Sequence, residues 1–349
     1  MARFDTGTDD ARVRIRPQRR SRPRTKRRPD YSNRPLGRVV GIDRGRFTVV
    51  MADTGKEVQA VKAREIPRSA VVIGDLVRLT GDVSGRVDTL ARIAHVEERR
   101  NALRRSLEEA DEGRGEKIVV ANVDLVVVVS AAANPTPRVG MVERALVAAR
   151  EAGVPALVCM TKIDLASPEP FLESFKGFPL EALSVDALTG EGLPAVAERL
   201  QGRFSVLIGH SGVGKSTLIN GLIPDADRAV GHVNVTTGKG RHTSTSAVAF
   251  ELPGGGWLVD TPGVRSFGLA HTEAEHVLSV FPGLSQAATY CLPNCTHGNG
   301  EPSCALDLWA AGEGPFQEEE GDAEHRRDIV TRARVLLDGL ATPPWLRSE

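Results

Sequence analysis

The segment Gly209-His210-Ser211-Gly212-Val213-Gly214-Lys215-Ser216 satisfies G-x-x-x-x-G-K-[ST] at every defined position. It follows an apolar run at 204–208, read as a strand, and it opens a helix. In that context the glycines let backbone amides curl around a polyphosphate, and the helix N-terminus adds a positive dipole end. Candidate phosphate-binding residues are Gly209, Ser211, Gly212, Val213, Gly214, Ser216 and Thr217. The Lys215 ammonium is expected on the β- and γ-phosphates, and the Ser216 hydroxyl on Mg²⁺. A motif of this kind restricts the chain around it to an α/β fold with a parallel sheet.

The flanking pattern agrees. Residues 123–131 form a nearly unbroken valine-rich run, as expected of a strand buried on both faces. Residues 141–152 have helical apolar spacing and end near Gly153. Further strands are expected at 156–160, 204–208 and 257–259, with a short helix at 194–200. Alternation of this kind places nucleotide chemistry at the strand ends.

Two more segments extend the site. Asp260-Thr261-Pro262-Gly263 follows the strand at 257–259. An Asp there is the second expected Mg²⁺ ligand, and Gly263 offers an amide to the γ-phosphate. The glycine-rich stretch 236–245 lies between the two motifs, and a hydroxyl from Thr243 or Thr245 is the candidate to complete the Mg²⁺ shell. Thr161-Lys162-Ile163-Asp164 ends the strand at 156–160 and fits the [NT]-K-x-D pattern. The Asp164 carboxylate can accept from two guanine donors that adenine lacks, so guanine is the expected base. The Lys162 stem is expected along base and ribose. Thr161 completes the motif, and Ser184 begins the stretch 184–187, where a backbone contact to the guanine oxygen is expected. The base motif precedes the phosphate motif. In an ordinary G domain the order is reversed, so the site requires a circular permutation, which closely spaced termini tolerate.

Outside the α/β region the chain changes character. From residue 12 to 28, ten of seventeen positions are Arg or Lys, although the whole chain has a net charge of zero. Residues 1–34 are therefore read as a disordered basic tail suited to nucleic acid. Residues 35–98 carry short β-rich runs at 38–42, 46–52, 57–63, 75–80 and 86–96. Five strands in so short a stretch suggest a small closed barrel, with an OB-fold the natural candidate and an SH3-like barrel of purely structural role the alternative. Residues 99–117 read as a charged linker, 118–268 as the permuted GTPase domain, and 269–349 as a mostly helical domain that carries a Cys/His cluster and a closing helix at 326–340. No apolar run approaches a membrane span, and no signal-peptide core precedes residue 10, so a cytoplasmic chain is expected. Cys159 sits in an apolar strand and reads as core packing. The other three cysteines, between 291 and 304, read as metal binding.

Together these residues resemble the circularly permuted ribosome small-subunit-dependent GTPase A family over about residues 35–340. Ala121-Asn122-Val123-Asp124 and Gly263-Val264-Arg265-Ser266-Phe267-Gly268 share in the resemblance. It implies an OB-fold, a permuted P-loop G domain and a zinc domain. It also implies a late assembly factor that binds the small ribosomal subunit and its rRNA and leaves on GTP hydrolysis to GDP. Cys291, Cys295, His297 and Cys304 match its structural zinc site, with three residues between the first two cysteines where about four are expected. His271 and His276 are expected on the surface. No glutamine follows Gly263, so another group must orient the attacking water, and His242 is the candidate. A monomer is expected. Two alternatives keep the site: an rRNA-binding placeholder in which hydrolysis is incidental, and a triphosphatase acting on another RNA.

Overall fold

The N-terminal strands alternate buried and exposed residues, as a barrel wall with one face in the core must. They are β1 (Leu36–Asp43), β2 (Arg46–Met51), β3 (Glu57–Lys62), β4 (Leu76–Gly81) and β5 (Ala91–Val96). The computed structural model describes residues 30–67, 70–106, 116–224, 247–261, 269, 272–317 and 322–341. Its strand order is β1-β2-β3-β5-β4, and β4 closes on β1; β3 and β5 run parallel and the other neighbours antiparallel. This closed five-stranded barrel has the OB-fold order, filled by Val39, Phe47, Val49, Val58, Val77, Leu79 and Ile93. The expected strand at 86–96 is shorter, because 82–90 is a turn: Asp82 Oδ1 accepts from Ser84 N at 2.8 Å, and Thr89 Oγ1 donates to Arg86 O at 2.8 Å.

The stretch expected to be a linker is more ordered than its charges suggested. Arg99 reaches back to Asp75, a fully buried carboxylate, with bonds of 2.6 and 2.9 Å. Strands β6 (Ala102–Ser106) and β7 (Glu116–Ala121) then pair as an antiparallel ribbon.

The α/β region follows: β8 (Leu125–Ala131), α1 (Val139–Glu151), β9 (Ala156–Thr161), α2 (Glu169–Glu173), β10 (Glu181–Val185), α3 (Leu193–Leu200), β11 (Phe204–Ile208), α4 (Lys215–Leu222), β12 (Val248–Glu251) and β13 (Trp257–Asp260). The sheet order is β10-β9-β8-β11-β13-β12, parallel except for β12. Every residue of β8 is buried. Val126 and Val128 face α1, while Leu125, Val127 and Val129 face α3 and α4. β12 also pairs with β1, at Gly41 and Val248, so barrel and α/β sheet are continuous.

Three short helices, a 3₁₀ turn and one long helix complete the described fold: α5 (Ala274–Val280), α6 (Leu284–Ala288), α7 (Ala305–Ala311), the turn at Gly314–Phe316, and α8 (Ala323–Ala341). Their apolar faces share one core with α1, including Val142, Leu146, Leu278, Trp309, Val330 and Ala333. On α8, Arg332 donates to the buried Glu143 of α1 at 2.7 Å and to Ser174 O at 2.8 Å.

The junction between barrel and sheet explains the Ala121–Asp124 signature. Asn122 is buried with φ 54°, donates to Gly74 O at 3.0 Å, and accepts from Arg100 N at 2.9 Å. Asp124 accepts from Phe204 N, at the start of the strand that leads into the phosphate loop, at 2.9 Å. Gly74 has φ +88°, and a Cβ there would lie 1.9 Å from Ala121 O and 2.9 Å from the Phe204 ring. Gly74→Ala is therefore expected to cost about 3–5 kcal/mol, since neither the backbone angle nor the neighbouring carbonyl can yield cheaply. Urea titration followed by far-UV circular dichroism checks this; a loss below about 1 kcal/mol would show that the junction is plastic.

Candidate nucleotide site and metal centre

β11 is buried along its whole length, which fixes where the loop after it begins. A Cβ on Gly209 would lie 2.4 Å from Val129 O, so the loop can leave the sheet here only with glycine. Gly214 precedes α4 with φ +93° and lies against the Thr161 side chain, where a Cβ would meet Oγ1 at 3.4 Å. The Lys215 ammonium folds back on the loop and donates to Gly209 O at 2.6 Å and His210 O at 2.9 Å. Its burial pushes its pKa below the ordinary lysine value, opposed by Asp260. Ser216 and Thr217 are exposed in the first turn of α4.

Asp260 ends β13 opposite Leu207 of β11. Burial pushes its carboxyl above the usual range, opposed first by Lys215. Its Oδ1 is buried with no hydrogen-bond partner. The next residue, Thr261, donates to Leu207 O at 2.9 Å and ties this strand end to the phosphate strand. An orphaned buried carboxylate oxygen beside a half-buried lysine fits a hard divalent cation, and oxygen donors of this kind suit Mg²⁺. Asp260 and Ser216 would hold it.

The base motif reaches the same end of the sheet. β9 runs beside β8, and Thr161 is in register with Ala131 on one side and Val185 on the other. The buried Thr161 hydroxyl donates to Val213 O in the phosphate loop at 2.5 Å. Base and phosphate motifs are therefore joined by a direct bond, although some fifty positions separate them in the chain. The Lys162 ammonium donates to Asn134 O, in the loop after β8. Asp164 is exposed, three residues from the Thr161 bond. Ser184 lies in β10 beside Met160. The turn after it is held by Asp186, which accepts from Leu188 N at 2.9 Å and Thr189 Oγ1 at 2.7 Å. Gly192 is required there, since a Cβ would stand 2.1 Å from Ser184 O. Gly263, His242, Thr243 and Thr245 lie outside the described residues.

The family model described as RsgA GTPase matches residues 96–270. The chain belongs to that family. A small ribosomal subunit biogenesis GTPase RsgA from Ectopseudomonas mendocina is 42% identical over 210 residues, covering 58% of this chain and 60% of that one. The protein of the same name from Gemmatimonas aurantiaca is 40% identical over 243 residues, covering 68% of this chain and 76% of that one. The chain thus matches only about three fifths of the length of the first of these relatives. The crystal structure of YjeQ from Thermotoga maritima shares the fold, with a TM-score of 0.64 at 23% identity, over 88% of this chain and 98% of that one. Among the described residues no helix is long and apolar enough to cross a membrane.

The sulfur cluster is a second centre. Ligand atoms of Cys291, Cys295, His297 and Cys304 all lie within 4.8 Å of one another. Cys291 Sγ is 3.5 Å from His297 Nδ1 and 4.0 Å from Cys304 Sγ, and Cys304 Sγ is 3.8 Å from His297 Nδ1. Tetrahedral zinc with bonds of about 2.1–2.3 Å requires edges of about 3.5–3.8 Å, so the donor set could hold Zn²⁺ with little movement. Arg334 supports it from α8, donating to His297 O at 3.1 Å and gripping Asp307 with two bonds of 2.7 and 2.9 Å. Of the two other histidines expected on the surface, His276 is half-buried in α5, and His271 is outside the described residues.

Proposed function

We propose that this chain binds GTP with Mg²⁺, hydrolyses it to GDP and phosphate, and does so on the small ribosomal subunit during late maturation, stimulated by the subunit. The single observation that carries the reading is the Thr161–Val213 bond, which ties the guanine motif to the phosphate motif. In this reading Asp164 accepts from the guanine, Lys162 lies along base and ribose, and the Ser184 region meets the guanine oxygen. Amides of Gly209 to Gly214 cradle the β-phosphate, with Ser216 and Thr217 at the helix start. On GTP binding, Lys215 exchanges its two loop carbonyls for β- and γ-phosphate oxygens, a switch that charge-assisted bonding favours. When bound, Mg²⁺ neutralises charge on the β- and γ-oxygens. Asp260 and Ser216 would hold it, together with a threonine at 243 or 245. Gly263 reads the γ-phosphate, and His242 takes a proton from the attacking water.

The relatives' names supply the partner, and the barrel and basic tail supply surfaces suited to rRNA. We take the protein to be a cytoplasmic monomer with one structural zinc. The test is phosphate release from GTP by the full chain, in single turnover, with and without purified small subunits. Stimulation of at least tenfold is expected, together with nucleotide-dependent sedimentation with the subunit. Sedimentation without stimulated cleavage would instead favour a placeholder whose affinity GTP sets.

A further inference from the structure

Beside the phosphate loop lies a cleft of about 310 Å³. One wall is the loop itself, at His210, Ser211 and Val213; the other is the entry to α1, at Thr136, Arg138 and Met141. The two walls touch where Pro135 Cδ would meet a Cβ on Gly212 at 3.9 Å. Arg138 is the N-cap residue of α1, and its side chain is exposed.

The cations around the two motifs are differently committed. Lys215 is bonded to Gly209 O and His210 O, and Lys162 to Asn134 O. The Arg138 side chain makes no hydrogen bond or ion pair with any described residue. It also stands at the positive end of a thirteen-residue helix, where the backbone dipole disfavours a cation. An exposed guanidinium with no side-chain partner among the described residues, on a wall shared with a phosphate loop, is available to an anion bound there. The sequence also lacks a glutamine after Gly263, so the reaction has fewer polar groups near the transferred phosphoryl than many GTPases have.

We propose that Arg138 is a catalytic residue that acts in cis, its guanidinium contacting the β–γ bridging oxygen or a γ-oxygen across the cleft. This rests on the nucleotide reading given above. In the step it serves, the water oxygen bonds to the γ-phosphorus and the bond from that phosphorus to the β–γ bridging oxygen breaks. The electron pair stays on GDP, and the water proton passes to His242, as in the reading above, and from there to solvent. Arg138 exchanges no proton, because guanidinium remains charged throughout the accessible pH range. It offers bidentate donation to oxygens whose charge grows as the bond breaks, a contribution larger in the transition state than in the ground state.

The experiment uses the full chain with Arg138→Ala and Arg138→Lys, both at an exposed position where folding should be unaffected. GDP affinity is expected to stay within about twofold of wild type. Subunit-stimulated phosphate release by Arg138→Ala should fall about 100-fold, the size seen when one transition-state donor is removed. Affinity for GDP with fluoroaluminate, which mimics the transferred phosphoryl, should fall in parallel. Guanidinium ion at sub-denaturing concentration should restore part of the Arg138→Ala rate and leave wild type unchanged. Turnover by Arg138→Ala within threefold of wild type, or an unchanged fluoroaluminate affinity, overturns the proposal while leaving the site intact. Wild-type protein that binds no guanine nucleotide sinks both readings, and Lys215→Met, which should lose GDP and GTP alike, separates that case from an Arg138 effect.

Discussion

Asp164→Asn is expected to lower GTP affinity on the order of 10³-fold and to raise affinity for xanthosine triphosphate, reversing the preference of the wild-type chain. Guanine presents two donors, the ring N–H and the exocyclic amine, to a carboxylate with two acceptor oxygens. The asparagine amide keeps one acceptor and turns the other position into a donor. That donor faces the guanine amine, and a donor facing a donor in a desolvated site loses a bond and leaves two groups unsatisfied. Xanthine carries an oxygen where guanine carries the amine, so the amide regains a full set. Asp164 is exposed, so the substitution should not touch stability, and a melting temperature within a degree or two of wild type serves as the control. Isothermal calorimetry with both nucleotides decides the matter. Equal losses for both, or unchanged GTP affinity, would remove Asp164 from the base site, and the guanine assignment would then have to come from the turn that Asp186 holds.

How far the sequence could be read depended on which signals are local. β8 was legible because both of its faces are buried, and a strand with no wet face must be apolar throughout. β10 and β12 were missed for the opposite reason. Each lies at the margin of the α/β layer with exposed or half-exposed positions, Glu181 to Ser184 and Val248 and Glu251, and neither reads as a continuous apolar run. The ribbon β6–β7 was hidden by charge: Arg104, Arg105 and Lys117 look like a solvated connector, while Leu103 and Val120 bury its inner face. In the site, the glycines and Lys215 carried their chemistry in the motif itself. The Thr161 hydroxyl did not. Its acceptor, Val213 O, follows from β9 and β11 flanking β8, a fact of sheet order that no tetrapeptide contains. Arg138 and the Asn134 carbonyl were invisible for the same reason, since nothing in their neighbourhood in sequence marks them. The cysteine cluster was legible because metal ligands must be close in space and here are also close in sequence.

Removal of one zinc ligand should have the largest structural effect. Cys304→Ser is expected to reduce zinc from one equivalent to a small fraction of that and to unfold the region around α6 and α7 while the parallel sheet persists. Structural zinc in zinc-finger peptides contributes about 10–16 kcal/mol of apparent binding energy. Cys304 is almost fully buried and is the residue from which α7 starts, and Ala305 N donates to Cys291 Sγ at 3.3 Å. The metal would thus fix the start of a helix whose Leu306, Trp309 and Ala310 enter the core shared with α8. With the ion gone, three thiols and an imidazole remain in a pocket where burial already pushes each thiol above its ordinary pKa. The apo cluster is therefore neutral. Zinc must displace those protons on binding, so its affinity should fall as the pH is lowered. Hydrogen exchange by mass spectrometry distinguishes the outcomes. Protection should be lost at 284–311 in the variant and in chelator-treated wild type, and retained at 125–131. Uniform loss would mean that the C-terminal helices and the nucleotide sheet fold as one cooperative unit. No loss at all would mean that Arg334, through its bonds to His297 O and Asp307, holds the knuckle without a metal.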